Sequence, residues 1–284
     1  MKTMNPGVAS FSQLSEPLSE SRLRQLVTGP GRLWSDVRVV AETGSTNADL
    51  LAAAGAAGEG VPDGRVLATE TQTAGRGRQG RTWQSLPGAA LTFSVLLRPR
   101  LVPQPARGWV PLLAGVAAAT AVSSVTGIGT ALKWPNDVLI DGGKLAGILA
   151  EQSDGAIVVG IGLNVLGGPA DLPVATATSL QEHDAGQTDR TDLLAAILTG
   201  IEQRYEPWRD AGGDADACGL RAEYLRLCAT VGRQVRVELP GQRQVAGTAT
   251  GVDAAGQLLV QPEGGAGAAA APVAVSAGDV VHVR

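Results

Sequence analysis

The chain has 284 residues, 44% of them hydrophobic, and it carries a formal net charge of -4 with an isoelectric point near 5.3. This length and hydrophobic content can bury the core of one large domain plus a small one. The acidic balance argues against nucleic acid as the main partner. Cys218 and Cys228 fit neither a metal-site spacing nor a disulfide framework, so we predict reduced thiols and a cytoplasmic location.

The first predicted elements are an N-terminal arm, a strand and a helix. Residues 1–36 are polar, lack the apolar core of a signal peptide, and favour one short helix at 20–27. A strand is predicted at 37–41. The alanine-rich stretch that follows predicts a helix, which Thr46 and Asp49 would open as a capping box.

A loop rich in glycine and arginine lies between two predicted strands, at 65–70 and 90–97. Its sequence is Gly75-Arg76-Gly77-Arg78-Gln79-Gly80-Arg81, here called the Arg/Gly loop. Glycine lets a backbone approach a ligand closely, and arginine matches phosphate and carboxylate oxygens. No Asp or Glu occurs from residue 71 to residue 136, where the basic residues are Arg76, Arg78, Arg81, Arg98, Arg100, Arg107 and Lys133. The pattern predicts a mobile, anion-binding loop.

The longest apolar stretch, residues 110–132, is uncharged and long enough to span a membrane. Most of its residues are small, with Pro111 suited to a first helical turn and Gly127 to a helix end, so we predict a buried core helix. A tight antiparallel meander is predicted next, with strands at 131–134, 138–140, 144–151 and 156–165.

The last third of the chain divides into helices and then short strands. Helices are predicted at 192–208 and 220–227. Strands are predicted at 234–239, 245–252, 257–261, 273–275 and 279–283, with a flexible Gly/Ala loop at 263–271. These patterns predict an α+β domain over residues 37–229 and a small β-barrel over 230–284.

Lysine is rare in this chain. Of the 23 basic residues only Lys2, Lys133 and Lys144 are lysine. Because arginine is used elsewhere, Lys133 indicates a need for a compact ammonium that acts as a point charge on reacting oxygens. For Lys144, just past a predicted hairpin turn, a surface role and a functional role are equally open.

Five motifs together resemble the biotin–protein ligases in order and spacing. They are Gly44-Ser45-Thr46-Asn47, Glu70-Thr71-Gln72-Thr73-Ala74 running through the Arg/Gly loop to Thr82-Trp83, Lys133-Trp134-Pro135-Asn136-Asp137, Lys144-Leu145-Ala146-Gly147-Ile148-Leu149-Ala150-Glu151, and Gly160-Ile161-Gly162-Leu163-Asn164-Val165. The resemblance implies a mixed, largely antiparallel sheet with flanking helices, similar to class II aminoacyl-tRNA synthetases. It also implies a C-terminal SH3-like β-barrel.

The resemblance implies a two-step ligation. Biotin would be activated with MgATP to biotinoyl-5′-AMP, and biotin would then pass to a lysine of a biotin carboxyl carrier protein of acetyl-CoA carboxylase or a related acyl-CoA carboxylase. Mg²⁺ would enter mainly through the ATP phosphates. We expect no nucleic-acid partner, because residues 1–36 are too short for the DNA-binding domain of the family's repressors. We also expect no membrane partner, and a monomer or weak homodimer.

The family's functional residues carry over to matching positions of this sequence. Lys133 and Arg76 are the implied catalytic residues. Biotin would contact Ser45, Thr46, Asn47, Gln72, Gly75, Arg76, Gly77, Arg78, Lys133 and Gly147. ATP and the adenylate would contact Arg76, Arg78, Arg81, Trp83, Lys133, Asn136 and Asn164.

Further expectations concern the surroundings of this site. Gly147 and Gly162 are positions where we expect strands to approach the ligand without side chains. Residues 166–181 would lie near the adenine, yet they contain no aromatic residue to stack on it. His183 and His282 give no functional signal and are expected in surface positions or loops.

Two alternative functions remain open. A lipoate–protein ligase-like acyl ligase would use a similar fold and lysine. A non-enzymatic RNA-binding protein could use the arginines and glycines, but such modules need aromatic platforms, and aromatic residues are 3% of this chain. An octanoyl transferase would need a nucleophilic cysteine, whereas Cys218 and Cys228 lie outside the five motifs.

Overall fold

The computed structural model describes residues 16–56, 63–172, 174, 176–239, 243–262, 271–276 and 278–282. Its helices are α1 (Glu20–Val27), α2 (Thr46–Ala56), α3 (Trp109–Thr126), α4 (Arg190–Asp210) and α5 (Leu220–Leu227). Its strands are β1 (Asp36–Thr43), β2 (Arg65–Gln72), β3 (Ala90–Leu97), β4 (Ala131–Lys133), β5 (Asp137–Ile140), β6 (Gly143–Ser153), β7 (Ala156–Asn164), β8 (Gln234–Leu239), β9 (Arg243–Val252), β10 (Leu258–Pro262), β11 (Val273–Val275) and β12 (Asp279–His282). Residues 1–15 of the predicted arm and 263–270 of the predicted flexible loop lie outside the described residues.

The larger sheet has the strand order β1-β2-β3-β7-β6-β5-β4. β1 and β2 are parallel, and the other neighbouring strands are antiparallel. Strands β4 to β7 follow one another in both sequence and space, which confirms the predicted meander. All eight residues of the central strand β3 are buried, because helices cover both faces of this sheet.

Helices α3 and α4 pack together on one face of the sheet, and α2 packs on the other. Successive β3 side chains serve the two faces: Val95 lies in the main core, while Leu96 packs with Leu50 of α2. α3 is apolar and long enough to cross a membrane, but 67% of its most apolar stretch is buried within the protein. It ends at Gly127, whose φ of 77° glycine adopts without steric cost. The core-helix prediction is therefore confirmed.

The start of α2 differs from the predicted capping box. The helix begins at Thr46, and Ser45 is the residue that caps it, since Ser45 Oγ accepts a hydrogen bond from the Ala48 amide at 3.4 Å. Asp49 instead accepts a hydrogen bond from the Thr43 hydroxyl of β1. Because the cap lies one residue earlier, the Thr46 side chain is free to face the sheet.

The second sheet is antiparallel, with the order β11-β10-β9-β8-β12. Among the described residues its edge strands β11 and β12 do not pair with each other, so the sheet is open and the predicted closed barrel is not formed by these strands. Two buried indoles bind it to the larger domain: Trp109 Nε1 donates to Ala254 O and Trp134 Nε1 donates to Gly256 O, both at 3.1 Å. Cys218 and Cys228 are free thiols, as predicted.

Candidate active site

A cavity of about 450 Å³ lies at the end of the larger sheet where β2 and β7 finish and β5 and β6 begin. The Arg/Gly loop covers it, and β12 of the second sheet reaches its edge. Of the predicted site residues, those that line it are Ser45, Thr46, Asn47, Gln72, Arg76, Gly77, Arg78, Arg81, Trp83, Lys133, Asn136, Gly147 and Asn164. The structure therefore brings together residues that span 120 positions of sequence.

Gly75 is the predicted site residue that does not line this cavity. A Cβ there would lie 2.4 Å from the carbonyl oxygen of Trp83. The Gly75 carbonyl also accepts a hydrogen bond from the Trp83 amide at 3.0 Å. Gly75 therefore closes the base of the loop, where two backbone segments pass too closely for a side chain.

One end of the cavity carries a connected set of polar side chains. Gln72 Oε1 accepts from the Thr46 amide at 2.9 Å, and the Thr46 hydroxyl lies 2.6 Å from the Ser94 hydroxyl. Ser94 in turn donates to Asn47 Oδ1 at 2.6 Å. The sequence analysis missed Ser94, although a hydroxyl within a wholly apolar strand was a usable signal because buried polar groups need partners.

Glu151 connects this polar end to the Arg/Gly loop. Its Oε2 accepts from Asn47 Nδ2 at 2.8 Å and lies 3.2 Å from Arg76 Nη2. Asn47 Nδ2 donates also to the Leu149 carbonyl at 3.2 Å. Both amide protons of Asn47 are thus used by β6, which leaves its Oδ1 as the atom with spare capacity for a ligand.

The indole of Trp83 lies flat against two paired strand glycines. Gly147 of β6 and Gly162 of β7 are register partners. A Cβ at Gly162 would lie 2.2 Å from Trp83 Cε2, and one at Gly147 would lie 3.2 Å from Trp83 Cζ3. The glycines were expected to admit a ligand, but the group they admit is this indole. Trp83 Nε1 is buried against Gly162 without a hydrogen-bond partner among the described residues.

Lys144 and Asp137 form an ion pair at the other end of the cavity. Lys144 Nζ lies 2.7 Å from Asp137 Oδ1, and it is 3.3 Å from where a Gly147 Cβ would be. Lys133 lines the same cavity from the end of β4. Lys144 was not among the predicted site residues. The rarity of lysine in this chain, which has three lysines in all, was a signal that could have identified it.

Residues of the segment predicted to lie near the adenine do line the cavity, at Val174, Thr176 and Ala177. The segment is held beside β6, because the Lys144 amide donates to Thr176 O at 2.7 Å. Asn164 Nδ2 fixes it from β7 by donating to Thr178 O at 2.9 Å. The Asn164 amide thus shapes the wall of the cavity.

The second sheet contributes to the cavity through Val280 and Val281 of β12. Arg78 Nη1 donates to Asn136 Oδ1 at 3.1 Å and reaches Gly278 O of this sheet at 3.5 Å. One side chain of the loop therefore meets both domains.

His282 is the second contact between β12 and the cavity wall. Thr230 Oγ1 accepts from the Trp134 amide at 3.1 Å and lies 3.2 Å from His282 Nε2. Burial and the nearby charges of Lys133 and Arg233 lower the pKa of His282. His282 was expected in a surface position or loop, but it lies in β12, half-buried beside the residue that follows Lys133. His183 bonds the Thr178 hydroxyl at 2.9 Å.

The described residues include no group of three or more His, Cys, Asp or Glu side chains that could hold a metal ion. Among the described residues lining the cavity, Asp137 is the single carboxylate, and it is paired with Lys144. This donor set does not fit a protein-held metal centre, because Mg²⁺ in proteins takes several oxygen ligands.

The chain resembles known proteins along most of its length. Residues 45–167 match the family model for biotin/lipoate A/B protein ligases, and 230–283 match that for the biotin protein ligase C-terminal domain. The biotin–[acetyl-CoA-carboxylase] ligase of Mycobacterium tuberculosis is 44% identical over 275 residues, which cover 96% of this chain and 98% of that protein. The bifunctional ligase/repressor of Escherichia coli is 30% identical over 258 residues, covering 88% and 76%. The solved biotin protein ligase from Aquifex aeolicus in complex with biotin and ATP has a TM-score of 0.70 at 26% identity, covering 88% and 100%.

Proposed function

The chain belongs to the biotin/lipoate A/B protein ligase family and is a biotin–protein ligase, and we propose that the cavity under the Arg/Gly loop is its active site. In the first step a biotin carboxylate oxygen attacks the α-phosphorus of ATP, which forms biotinoyl-5′-AMP and releases pyrophosphate. In the second step a carrier lysine attacks the acyl carbon, and AMP leaves. The observation that carries the proposal is one cavity with neutral polar groups at one end and lysine ammonium groups at the other.

The polar end suits the ureido ring of biotin. A ureido group offers two N–H donors and one carbonyl acceptor, so it needs a mixed set of partners. Asn47 Oδ1 can accept from a ureido N–H because its Nδ2 is already committed to β6. Ser45 and Thr46 add hydroxyls from the first turn of α2, and Gln72 adds an amide from the end of β2.

The cationic end suits the biotin carboxylate and the α-phosphate. Bringing an anionic nucleophile to an anionic triphosphate requires charge neutralisation at both centres. We assign this role to Lys133 and Lys144 together, with the larger share for Lys144. Its ammonium is fixed by Asp137 beside Gly147, so less reorganisation is needed when charge develops.

The Arg/Gly loop is proposed to bind phosphate oxygens and to close over the adenylate. Arg78 and Arg81 line the cavity from this loop, and Asn136 orients Arg78. Closure excludes water, which would otherwise hydrolyse the mixed anhydride. The Trp83 indole forms the floor below the loop, packed against Gly162.

Finer parts of the proposal concern the metal, the partner and the second sheet. Mg²⁺ is assigned to the ATP phosphates rather than to a protein site, since the cavity carboxylate is already paired. The acceptor is a biotin carboxyl carrier protein of acetyl-CoA carboxylase or a related carboxylase. An SH3-like barrel is proposed for residues 230–284 as a whole, and the protein is proposed to be cytoplasmic.

Biotin-dependent exchange of labelled pyrophosphate into ATP tests the function. We expect exchange with biotin and none without it, because the first step is reversible only when biotin accepts the adenylyl group. The purified protein should then transfer label to the lysine of a biotin carboxyl carrier domain. Exchange supported by lipoate but not by biotin would instead establish the lipoate ligase alternative, and no exchange with either acid would contradict an adenylating enzyme.

A further inference from the structure

We propose that Glu151 is a positioning residue that latches the Arg/Gly loop over the cavity by holding Arg76. The latch, defined as the contact between Arg76 and Glu151, rests on the proposed function of the cavity and adds a residue outside the predicted ligand contacts. Glu151 is the last residue of the fourth motif. Its carboxylate does not line the cavity, so its proposed action is on the loop and on Asn47.

The geometry places one oxygen between two functional elements. Glu151 Oε2 lies 3.2 Å from Arg76 Nη2 and 2.8 Å from Asn47 Nδ2. The same carboxylate oxygen therefore meets the loop and the first turn of α2. An arginine donor and an amide donor on one carboxylate oxygen are compatible, because an ionised carboxylate offers about four acceptor positions.

Glu151 is held on a rigid part of the fold, whereas Arg76 is on a loop. Glu151 pairs with Val158 of β7 within the larger sheet. Arg76 is 46% exposed, and the Glu151 side chain is 27% exposed. A contact between a carboxylate on a strand and an arginine on a loop restrains the arginine. We therefore propose that β6 holds the Arg/Gly loop in place.

Contacts within the loop connect Arg76 to its neighbours. Arg76 and Thr82 form an isolated antiparallel bridge, and the Gly77 amide donates to Arg81 O at 2.7 Å. The loop thus closes on itself as a narrow hairpin. Holding Arg76 also restrains Gly77 and Arg81, which face the cavity.

The strength of the latch suits a contact that must open in each catalytic cycle. Half-exposed ion pairs are weak, so their loss changes an equilibrium by about two- to fivefold. Such a contact slows the escape of a bound intermediate without preventing substrate entry. A fully buried pair would hold the loop shut.

The test measures release of preformed biotinoyl-5′-AMP from full-length protein, alongside the rate of biotin-dependent pyrophosphate exchange. Glu151→Gln keeps the shape of the side chain and removes its charge. We expect this variant to release the adenylate about two- to fivefold faster, with exchange turnover within about twofold of wild type, because the latch acts on retention. Arg76→Gln, a change on an exposed loop, should raise release by a similar factor.

The double variant Glu151→Gln with Arg76→Gln separates a latch from a structural role. If the two residues act through one contact, release from the double variant equals that from Arg76→Gln, because adding Glu151→Gln then removes no further contact. Gln152→Ala is the matched control on the same strand, since Gln152 is bound to Gln104 on the outer surface, and it should release adenylate as wild type does. Additive effects, or wild-type release from Glu151→Gln, would overturn the latch. Absence of exchange in the wild-type protein would instead overturn the active-site proposal.

Discussion

Lys144 is a candidate catalytic residue because an ion pair with Asp137 fixes its ammonium group at the cavity. Its side chain is 30% exposed and its ammonium is 2.7 Å from Asp137 Oδ1. Asp137 belongs to the third motif and Lys144 to the fourth, and the short turn between β5 and β6 brings them together. The pairing fixes the position of the lysine ammonium at the cavity, which is what electrostatic catalysis requires.

We expect Lys144→Met to lower the rate of adenylate formation by about 10²- to 10³-fold, since one preorganised donor to the developing charge is lost. Lys133→Met should lower it by about tenfold, because no carboxylate among the described residues pairs with Lys133 and fixes its position. Biotin-dependent pyrophosphate exchange measures both rates, and biotin binding without ATP should fall less in each variant.

The unpaired Asp137 of the Lys144 variant needs its own control. The double variant Asp137→Asn with Lys144→Met removes both charges and should be as slow as Lys144→Met alone. A double variant that recovers most of the wild-type rate would mean that the lost activity came from an exposed carboxylate in the cavity. Pyrophosphate exchange near the wild-type rate in Lys144→Met would show that Lys133, and not Lys144, has the larger catalytic role.

At the scale of elements, contacts of Arg76 and Arg78 with described residues attach the Arg/Gly loop to different parts of the protein. Arg76 contacts Glu151 of β6, while Arg78 contacts Asn136 and the carbonyl oxygen of Gly278. The first attachment lies at the end of the cavity that carries Asn47 and the second at the junction with the second sheet. Since Arg78 joins three parts of the protein, its loss should free the loop more than the loss of Arg76.

Arg78→Gly should therefore leak the adenylate, with release raised by about tenfold while some adenylate synthesis remains. The released mixed anhydride acylates exposed lysines of unrelated proteins. Incubation of the variant with biotin, MgATP and serum albumin, followed by detection of biotin on the albumin, measures the leak. The wild-type protein should attach nearly all of its biotin to the carrier domain and little to the albumin. Albumin labelling no greater than that of wild type, from a variant that still makes adenylate, would show that Arg78 does not retain the intermediate.

At the scale of the whole molecule, the two sheets meet around the third motif. Trp134 is 1% exposed and bonds to the second sheet through its indole and, by way of Thr230, through its backbone amide. β12 adds Val280 and Val281 to the cavity itself. The second sheet is thus a wall of the site, and changes at the interface reach the residue next to Lys133.

His282 makes this interface sensitive to acid. Its pKa in the folded protein is below the ordinary value of 6.5, because burial and the charges of Lys133 and Arg233 disfavour the imidazolium ion. At pH values above 6.5 the His282 imidazole is mostly neutral in both the folded and the unfolded protein. As the pH falls below 6.5, the unfolded chain binds the proton more readily, so the free energy of unfolding decreases until the pH passes the folded pKa.

Thermal unfolding at a series of pH values from about 8 to about 5 measures this effect. We expect the melting temperature of the wild type to fall in the acid part of the range. The melting temperature of His282→Asn should fall less over the same interval. Parallel curves for the two proteins would show that His282 does not carry the proton linkage. His183→Asn is the matched control, because His183 lies beside Thr178, away from the interface.

The elements and many of the site residues could be predicted from local patterns. The bounds of β3, α5 and β8 agree with the predicted residues, since alternation of apolar side chains, turn glycines and helix ends act over a few neighbouring positions. Many motif residues of the cavity were predicted too, because each motif is continuous in sequence. Ser94, Asp137, Lys144 and Glu151 were not, since their roles depend on partners in other strands.

The sequence by itself determined the order of the elements, the core helix, the concentration of arginine and glycine in the Arg/Gly loop and the family resemblance. Tertiary structure decided which partners meet. It turned the Asn47 amide toward β6, set the Trp83 indole in the space left by Gly162, paired Lys144 with Asp137, and left the second sheet open among the described residues. These features depend on distances between segments far apart in the chain, and such distances are set by strand register and packing rather than by local sequence.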